Sequence, residues 1–266
     1  MFIYESKLIL IYCVVIFAIL GAVMGSFLNC AAWRISRNES FTKGRSHCPS
    51  CGHELSAADL IPVFSWLFLR GKCRYCGSKV SVRYLLAELF MAAMFVLALL
   101  RFGITVELFR NLVLLCLLFL LSMVDLEIFE IPDSCHIIAA VLWAATCWFV
   151  LDGISDIIFH IIAAVVYGGG ILLISMIFDK LLNKESMGGG DIKLFAVMGL
   201  YLGLAPSLLA LILSCVIGLI FAFIRKRITP DASEEFPFGP SIALAFWIVL
   251  LYGGPVIDWY MGFFNF

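Results

Sequence analysis

The chain has 266 residues, of which 63% are hydrophobic and 14% are charged, and its mean hydropathy is +1.07. Soluble domains average about half apolar and about a quarter charged residues, so this composition excludes an ordinary soluble protein and a disordered one. It indicates a membrane protein whose surroundings include lipid. The formal net charge of -1 gives no basic surface for nucleic acid, and we expect no nucleic-acid partner.

Apolar stretches long enough to cross a bilayer recur along the whole chain. The first runs from Leu8 to Trp33 and is too long for a signal peptide, so we predict a retained transmembrane segment. Seven further spans are predicted, at 84–100, 108–127, 135–151, 157–178, 192–204, 206–224 and 241–260. Gly203 and Pro206 interrupt a charge-free run, and without a break there the chain would have seven spans in all. The predicted fold class is an all-α polytopic membrane protein with about eight transmembrane helices.

The distribution of positive charge predicts the orientation of these spans. Residues 34–83 contain nine of the 18 lysines and arginines, residues 179–193 contain three, and residues 225–227 contain three. Eight spans place all of these on one side of the membrane, whereas seven would separate the last three from the others. Because positive loops are retained in the cytosol, we expect these segments to be cytosolic and the amino terminus to lie outside.

The large polar segment, residues 34–83, contains two C-x-x-C motifs, Cys48-Pro-Ser-Cys51 and Cys73-Arg-Tyr-Cys76, separated by 21 residues. Zinc prefers a tetrahedron of thiolates, and four cysteine ligands leave no open position for catalysis. We therefore predict a cytosolic domain built around a structural zinc ion. Disulfides and a thiol redox pair are the alternatives, although a reducing compartment disfavours stable disulfides. His47 and His53 flank the first motif and are alternative ligands.

Two aspartates are predicted at membrane depth on the cytosolic side. Asp125 lies near the end of the span 108–127, and Asp191 follows three glycines directly before another span. Two carboxylates in a low dielectric share a proton, so that one can act as a base on water while the other acts as an acid. This chemistry is aspartyl proteolysis. The alternatives are cation or proton transport, or an Asp125 at the headgroup level with Asp191 as a helix N-cap.

Three further carboxylates, Glu127, Glu130 and Asp133, follow Asp125 closely. Pro132 is expected to end the helix near Ile131, which would leave these three closer to water and make them poorer partners for a catalytic pair. Before Asp191, the run Gly188-Gly189-Gly190 permits tight backbone approach and positive φ, which would suit a loop that admits an extended peptide.

The order and spacing of several motifs resemble the type IV prepilin peptidases, bifunctional leader peptidases and N-methyltransferases of bacterial inner or cytoplasmic membranes. The resemblance covers nearly the whole chain. The motifs in the first half are Gly25-Ser-Phe-Leu-Asn29 with Arg34, Arg45-Ser-His-Cys48-Pro-Ser-Cys51, Ile61-Pro-Val-Phe-Ser65-Trp66, Gly71-Lys-Cys73-Arg-Tyr-Cys76, and Ser81-Val-Arg83-Tyr84 leading to Glu88. Those in the second half are Asp125 with Ile131-Pro132-Asp133, and Gly188-Gly-Gly190-Asp191-Ile-Lys193-Leu194.

This resemblance implies an enzyme that cuts prepilins or pseudopilins after a glycine at the cytosolic edge of their hydrophobic leader segment. It implies that the new amino terminus is then methylated with S-adenosylmethionine, although no residue for the methyl donor is assigned. By position, Asp125 and Asp191 become the catalytic residues and the four cysteines become the zinc ligands. The expected domains are a first transmembrane segment (1–33), a methylation-associated zinc domain (34–83) and a multi-span protease domain (84–266).

Two hypotheses of other classes stay open at this point. In one, the chain is a non-enzymatic membrane scaffold whose zinc loop docks a cytosolic partner. In the other, it is an ion-coupled transporter.

Overall fold

A computed structural model describes residues 7–41, 44–184, 186–228 and 236–263. Lys43, one of the nine basic residues counted in the 34–83 segment, lies outside the described residues. The described helices are α1 (Lys7–Ile35), α2 (Phe64–Phe68), α3 (Val82–Phe102), α4 (Val106–Ile128), α5 (Asp133–Val150), α6 (Ile154–Leu182), α7 (Gly189–Leu202), α8 (Leu204–Ile228) and α9 (Gly239–Gly262). Those residues contain no β-strand beyond two isolated bridges, so the all-α prediction is confirmed.

Seven of the described helices are long and apolar enough to cross a membrane: α1, α3, α4, α5, α6, α8 and α9. The sixth predicted span, 192–204, corresponds to α7, which has 14 residues and is only about 21 Å long at 1.5 Å per residue. The predicted break before α8 is present, because Gly203 has φ 75° and separates the two helices. A multi-pass membrane protein follows from these helices.

The chain forms two compact units, Met1–Leu112 and Val113–Phe266. In the first unit, α1 packs along α3. A Cβ atom at Gly25 of α1 would lie only 2.8 Å from the carbonyl oxygen of Ala87 in α3, so glycine permits the backbones to approach this closely. Between these two helices the polar segment forms short turns, a 3-10 helix (Ala57–Leu60) and α2.

In the second unit, α7 is the central helix and contacts α5, α6, α8 and α9. Half of its residues are buried, including Leu194, Phe195 and Met198, and they belong to one apolar core with Trp143 of α5 and Phe246 of α9. Because α7 is enclosed on several sides, its first turn, which carries Asp191, is held in a defined position.

Candidate active site and metal centre

Asp125 lies in the last turn of α4, and only 5% of its surface is exposed. The expectation that this helix continues to about Ile131 is wrong, because α4 ends at Ile128. Phe129 adopts φ 57° and its N–H donates to the carbonyl oxygen of Asp125 at 2.9 Å, which closes the helix. The early end places Asp125 within one turn of the helix terminus.

The Asp125 carboxylate is held by the start of α9. Its Oδ2 atom accepts a hydrogen bond from the N–H of Gly239 at 2.9 Å. The first N–H groups of a helix have no partner within the helix, and they stabilise negative charge. A Cβ atom at Gly239 would lie 2.8 Å from Asp125 Oδ2, so any other residue here would force the carboxylate or the start of α9 to shift.

Asp191 lies in the first turn of α7 and not in a loop before it. Its Oδ1 atom is buried and has no hydrogen-bond partner among the described residues. A Cβ atom at Gly190 would lie 2.9 Å from Cβ of Ile131, so this glycine lets α7 approach the connection between α4 and α5. The predicted tight approach is therefore present at Gly190, while none of the three glycines adopts positive φ.

Both aspartates line one cavity of about 310 Å³ within the second unit. The α4–α5 connection and the three glycines before Asp191 form the rest of its wall. The structure therefore brings together two carboxylates that are 66 positions apart in the sequence. Such a cavity is large enough to hold water molecules beside the carboxylates.

The neighbouring carboxylates differ from Asp125 and Asp191 in their exposure or in their position relative to the cavity. Glu130 and Asp133 also line the cavity, but both are exposed, and Glu127 is half-buried outside it. Asp133 forms an ion pair with Lys193 Nζ at 2.6 Å, which links the start of α5 to α7. This ion pair gives a structural role to Lys193, which stands two residues after Asp191 in the motif.

The two C-x-x-C motifs form similar turns in the first unit. Gly52 N–H donates to the carbonyl oxygen of Cys48 at 2.8 Å, and Gly77 N–H donates to that of Cys73 at 3.0 Å. Both glycines have positive φ, 71° and 73°, which a residue with a Cβ atom rarely adopts. The turns direct the cysteines of each motif toward one point.

The four Sγ atoms of Cys48, Cys51, Cys73 and Cys76 lie within 4.8 Å of one another, and no described cysteine is in a disulfide. The Sγ atoms of Cys48 and Cys76 are 3.9 Å apart. A tetrahedron with zinc–sulfur bonds of about 2.3 Å requires sulfur atoms about 3.8 Å apart, so the cluster has the dimensions of a metal site. Backbone hydrogen bonds from Cys51 and then Ser50 lower the pKa of the Cys48 thiol to about 6, which favours the thiolate that binds metal.

The two flanking histidines lie outside this cluster. His53 stacks on Tyr75, with ring centroids 3.6 Å apart, and His47 makes an edge contact with Trp33. Neither joins the four cysteines as a further ligand.

Asp59 connects the second C-x-x-C motif to the 3-10 helix. Its carboxylate accepts hydrogen bonds from Ser56, from Arg74 Nε at 2.6 Å and from the Tyr75 hydroxyl at 3.1 Å. The hydrogen bond from Ser56, followed by that from Arg74, lowers the pKa of Asp59 to about 2. These contacts hold the Cys73–Cys76 turn against the rest of the segment.

Sequence reasoning missed Gly239. A signal for it exists, because Gly239 stands between Phe238 and Pro240 directly before an apolar span, and the topology predicted from the sequence places this point on the same side as Asp125. A glycine at the start of a membrane helix on the side of a predicted acidic site is a candidate for close backbone approach.

Comparisons with known proteins agree with this architecture. The Bacterial Peptidase A24 N-terminal domain matches residues 19–102, and the Type IV leader peptidase family matches residues 112–223. No solved structure matches.

Two curated relatives, each called "Prepilin leader peptidase/N-methyltransferase", match over most of their length. The protein from Bacillus subtilis is 34% identical over 256 residues, which cover 91% of this chain and 96% of the relative. The protein from Xanthomonas campestris pv. campestris is 32% identical over 276 residues, which cover 92% of this chain and 93% of the relative. This chain therefore belongs to the type IV leader peptidase family.

Proposed function

We propose that the chain is a membrane-embedded aspartic endopeptidase that removes the leader of prepilins or pseudopilins, with Asp125 and Asp191 as its catalytic residues. The observation that carries this proposal is the shared cavity, into which two helix ends bring one carboxylate each. The names of the relatives indicate the substrate class.

The geometry supports a general acid–base mechanism on one water molecule. Gly239 N–H stabilises negative charge on Asp125, so we assign Asp125 as the base and Asp191 as the group that carries the shared proton. Asp125 removes a proton from the water, whose oxygen attacks the peptide carbonyl carbon while Asp191 protonates the carbonyl oxygen. Collapse of the resulting diol breaks the C–N bond. Asp125, now protonated, gives its proton to the leaving nitrogen, and Asp191 takes a proton back from the diol hydroxyl.

We assign the cavity to the cytosolic side of a bacterial inner or cytoplasmic membrane. The end of α4 and the starts of α7 and α9 all lie beside the cavity, and the basic segments that precede α7 and α9 in sequence favour the cytosol. A prepilin leader contains a hydrophobic helix, and its cytosolic edge is the part that a cavity at helix ends can reach.

We assign the four-cysteine cluster as a structural zinc site. The spacing of the Sγ atoms and the all-thiolate donor set fit zinc. A bound zinc ion would stabilise the fold of the 34–83 segment, and the mechanism above gives it no part in proteolysis.

We further propose that the same chain methylates the new amino terminus with S-adenosylmethionine, as the relatives' name N-methyltransferase suggests. The zinc-containing segment 34–83 is the part we assign to methylation. Residues 1–33 are then a membrane segment, and residues 84–266 contain the protease site.

The test is cleavage of a prepilin peptide by purified wild type, Asp125→Asn and Asp191→Asn, with Glu127→Gln as the matched control. Asparagine preserves the shape of aspartate but cannot act as a base or carry the shared proton, so both aspartate variants should lose cleavage while the control retains it. Substantial processing by either aspartate variant would refute the catalytic pair. If the wild type also failed to process the peptide but moved ions in proteoliposomes, the transporter hypothesis would replace this one.

A further inference from the structure

The first unit contains a cavity of about 720 Å³, more than twice the volume of the one that holds the two aspartates. It lies between the 34–83 segment, the carboxyl-terminal half of α1 and the first turns of α3. Aromatic rings of Phe27, Trp33 and Trp66 line it, together with charged residues of both signs. The charged residues are Arg34, Asp59, Lys72, Arg74, Lys79 and Glu88. Cavities of this size, mainly apolar with a few convergent polar groups, are typical of small-molecule sites.

Glu88 is an unusual residue in this wall. It lies on α3 and only 6% of its surface is exposed. Its Oε2 atom accepts a hydrogen bond from the N–H of Val63 at 2.6 Å, and no cationic side chain in the described part of the chain forms an ion pair with it. A buried carboxylate that has no ion-pair partner is costly, and a positively charged ligand group placed beside it would offset that cost.

The wall beside Glu88 is held in a constrained conformation. Val63, a β-branched residue, has φ 65°, a backbone region that such residues rarely occupy. Its N–H binds Glu88, and α2 begins at the next residue and positions Trp66. Strained backbone of this kind is found at ligand-binding segments, where the surrounding contacts maintain it.

Trp66 is fixed by two further contacts. Its Nε1 atom donates to the carbonyl oxygen of Val80 at 3.3 Å, and its ring lies against Gly71, where a Cβ atom would be 2.7 Å from Trp66 Cζ2. A fixed aromatic wall near a buried carboxylate suits a ligand that has both a flat ring system and a positive charge.

We propose that this cavity is the methyl-transfer site and that Glu88 binds a cationic reactant in it; the inference rests on the methylation activity proposed above. Two reactants carry the required charge: the sulfonium of S-adenosylmethionine, and the α-ammonium group of the cut pilin. For transfer, the ammonium first loses a proton to water or to Glu88. The amine lone pair then attacks the methyl carbon, the C–S bond breaks with its electrons on sulfur, and neutral S-adenosylhomocysteine and a methylammonium are produced.

Glu88→Gln tests the charge without removing the acceptor, because the glutamine side-chain oxygen can still bind Val63 N–H. Glu39→Gln is the matched control, since Glu39 is an exposed carboxylate of the same unit outside the cavity wall. Zinc content and the thermal unfolding midpoint of the purified, metal-loaded variants report whether they are folded. Leu69→Trp is a second variant, which fills the cavity without changing Glu88.

Binding of S-adenosylmethionine and of S-adenosylhomocysteine is measured by calorimetry, and methylation of a precut pilin peptide by mass spectrometry. If Glu88 binds the donor, Glu88→Gln weakens the binding of S-adenosylmethionine about tenfold or more. The affinity for the neutral S-adenosylhomocysteine stays nearly unchanged. If Glu88 binds the peptide amine, donor affinity stays the same and the KM of the peptide rises about tenfold or more. In both cases Leu69→Trp weakens donor binding and Glu39→Gln changes nothing.

The proposal is overturned if Glu88→Gln and Leu69→Trp, both folded, bind the donor and methylate the peptide as the wild type does. If the wild type binds no donor and transfers no methyl group, the methylation activity itself is refuted, and with it this use of the cavity. Prepilin cleavage by that preparation would leave the proposed protease function standing.

Discussion

Replacing Gly239 with alanine adds one methyl group directly against the Asp125 carboxylate. The new Cβ atom would lie 2.8 Å from Asp125 Oδ2 and 3.1 Å from Ile131 Cδ1. Ordinary van der Waals contact begins near 3.4 Å, so the carboxylate or the start of α9 must shift by about 0.6 Å. The backbone N–H is retained, and the substitution therefore tests the position of Asp125 more than the presence of the hydrogen bond.

The expected effect follows from the size of that shift. A displacement of about 1 Å at a reacting group can reduce the rate about 100-fold, and a hydrogen bond to a charged group contributes about 1.5–3 kcal/mol when its geometry is intact. We therefore expect kcat/KM for prepilin cleavage to fall about 10- to 100-fold, which corresponds to about 1.4–2.7 kcal/mol of transition-state stabilisation.

The assay is steady-state cleavage of a prepilin peptide in detergent, with Gly254→Ala as the control. Gly254 lies in the same helix, and a Cβ atom there meets nothing within 4 Å. Alanine has a higher helix propensity than the glycine that it replaces at both positions, so both variants should remain folded. Cleavage by Gly239→Ala within twofold of the wild type would refute the role of Gly239 in positioning Asp125 for catalysis.

Three further outcomes are expected. Gly190→Ala should reduce cleavage while leaving donor binding intact, because its Cβ atom would lie 2.9 Å from Ile131 Cβ beside Asp191; unchanged cleavage kinetics would contradict this. Metal analysis should find about one zinc ion per chain, and Cys73→Ser should lose it and lower the thermal unfolding midpoint, whereas Cys215→Ser, outside the cluster, should retain it. The Asp59 carboxylate has a lowered pKa, about 2 against an ordinary 3.8, so its stabilising contribution should be complete above about pH 4 and disappear as the pH falls toward 2. The difference in unfolding midpoint between wild type and Asp59→Asn should therefore shrink over that window. A difference that stays constant would refute this role of Asp59.

The sequence alone determined the membrane character, the helical fold class and the family of this chain. Long apolar runs are unstable in water, and the four-cysteine spacing and the two aspartate motifs are local patterns of the sequence. The break at Gly203 was also predictable, because a charge-free run of that length is too long for one upright span.

Only the tertiary structure decided which backbone groups contact the aspartates. Gly239 is 114 positions after Asp125, and its contact with Oδ2 depends on how α9 packs against α7 and α8 within the second unit. The same holds for Glu88 and Val63, which are 25 positions apart and meet because the segment before α2 returns to α3. Local patterns predict which residues are polar or helical, whereas contacts between distant segments arise from the packing of whole helices, which one sequence does not specify residue by residue.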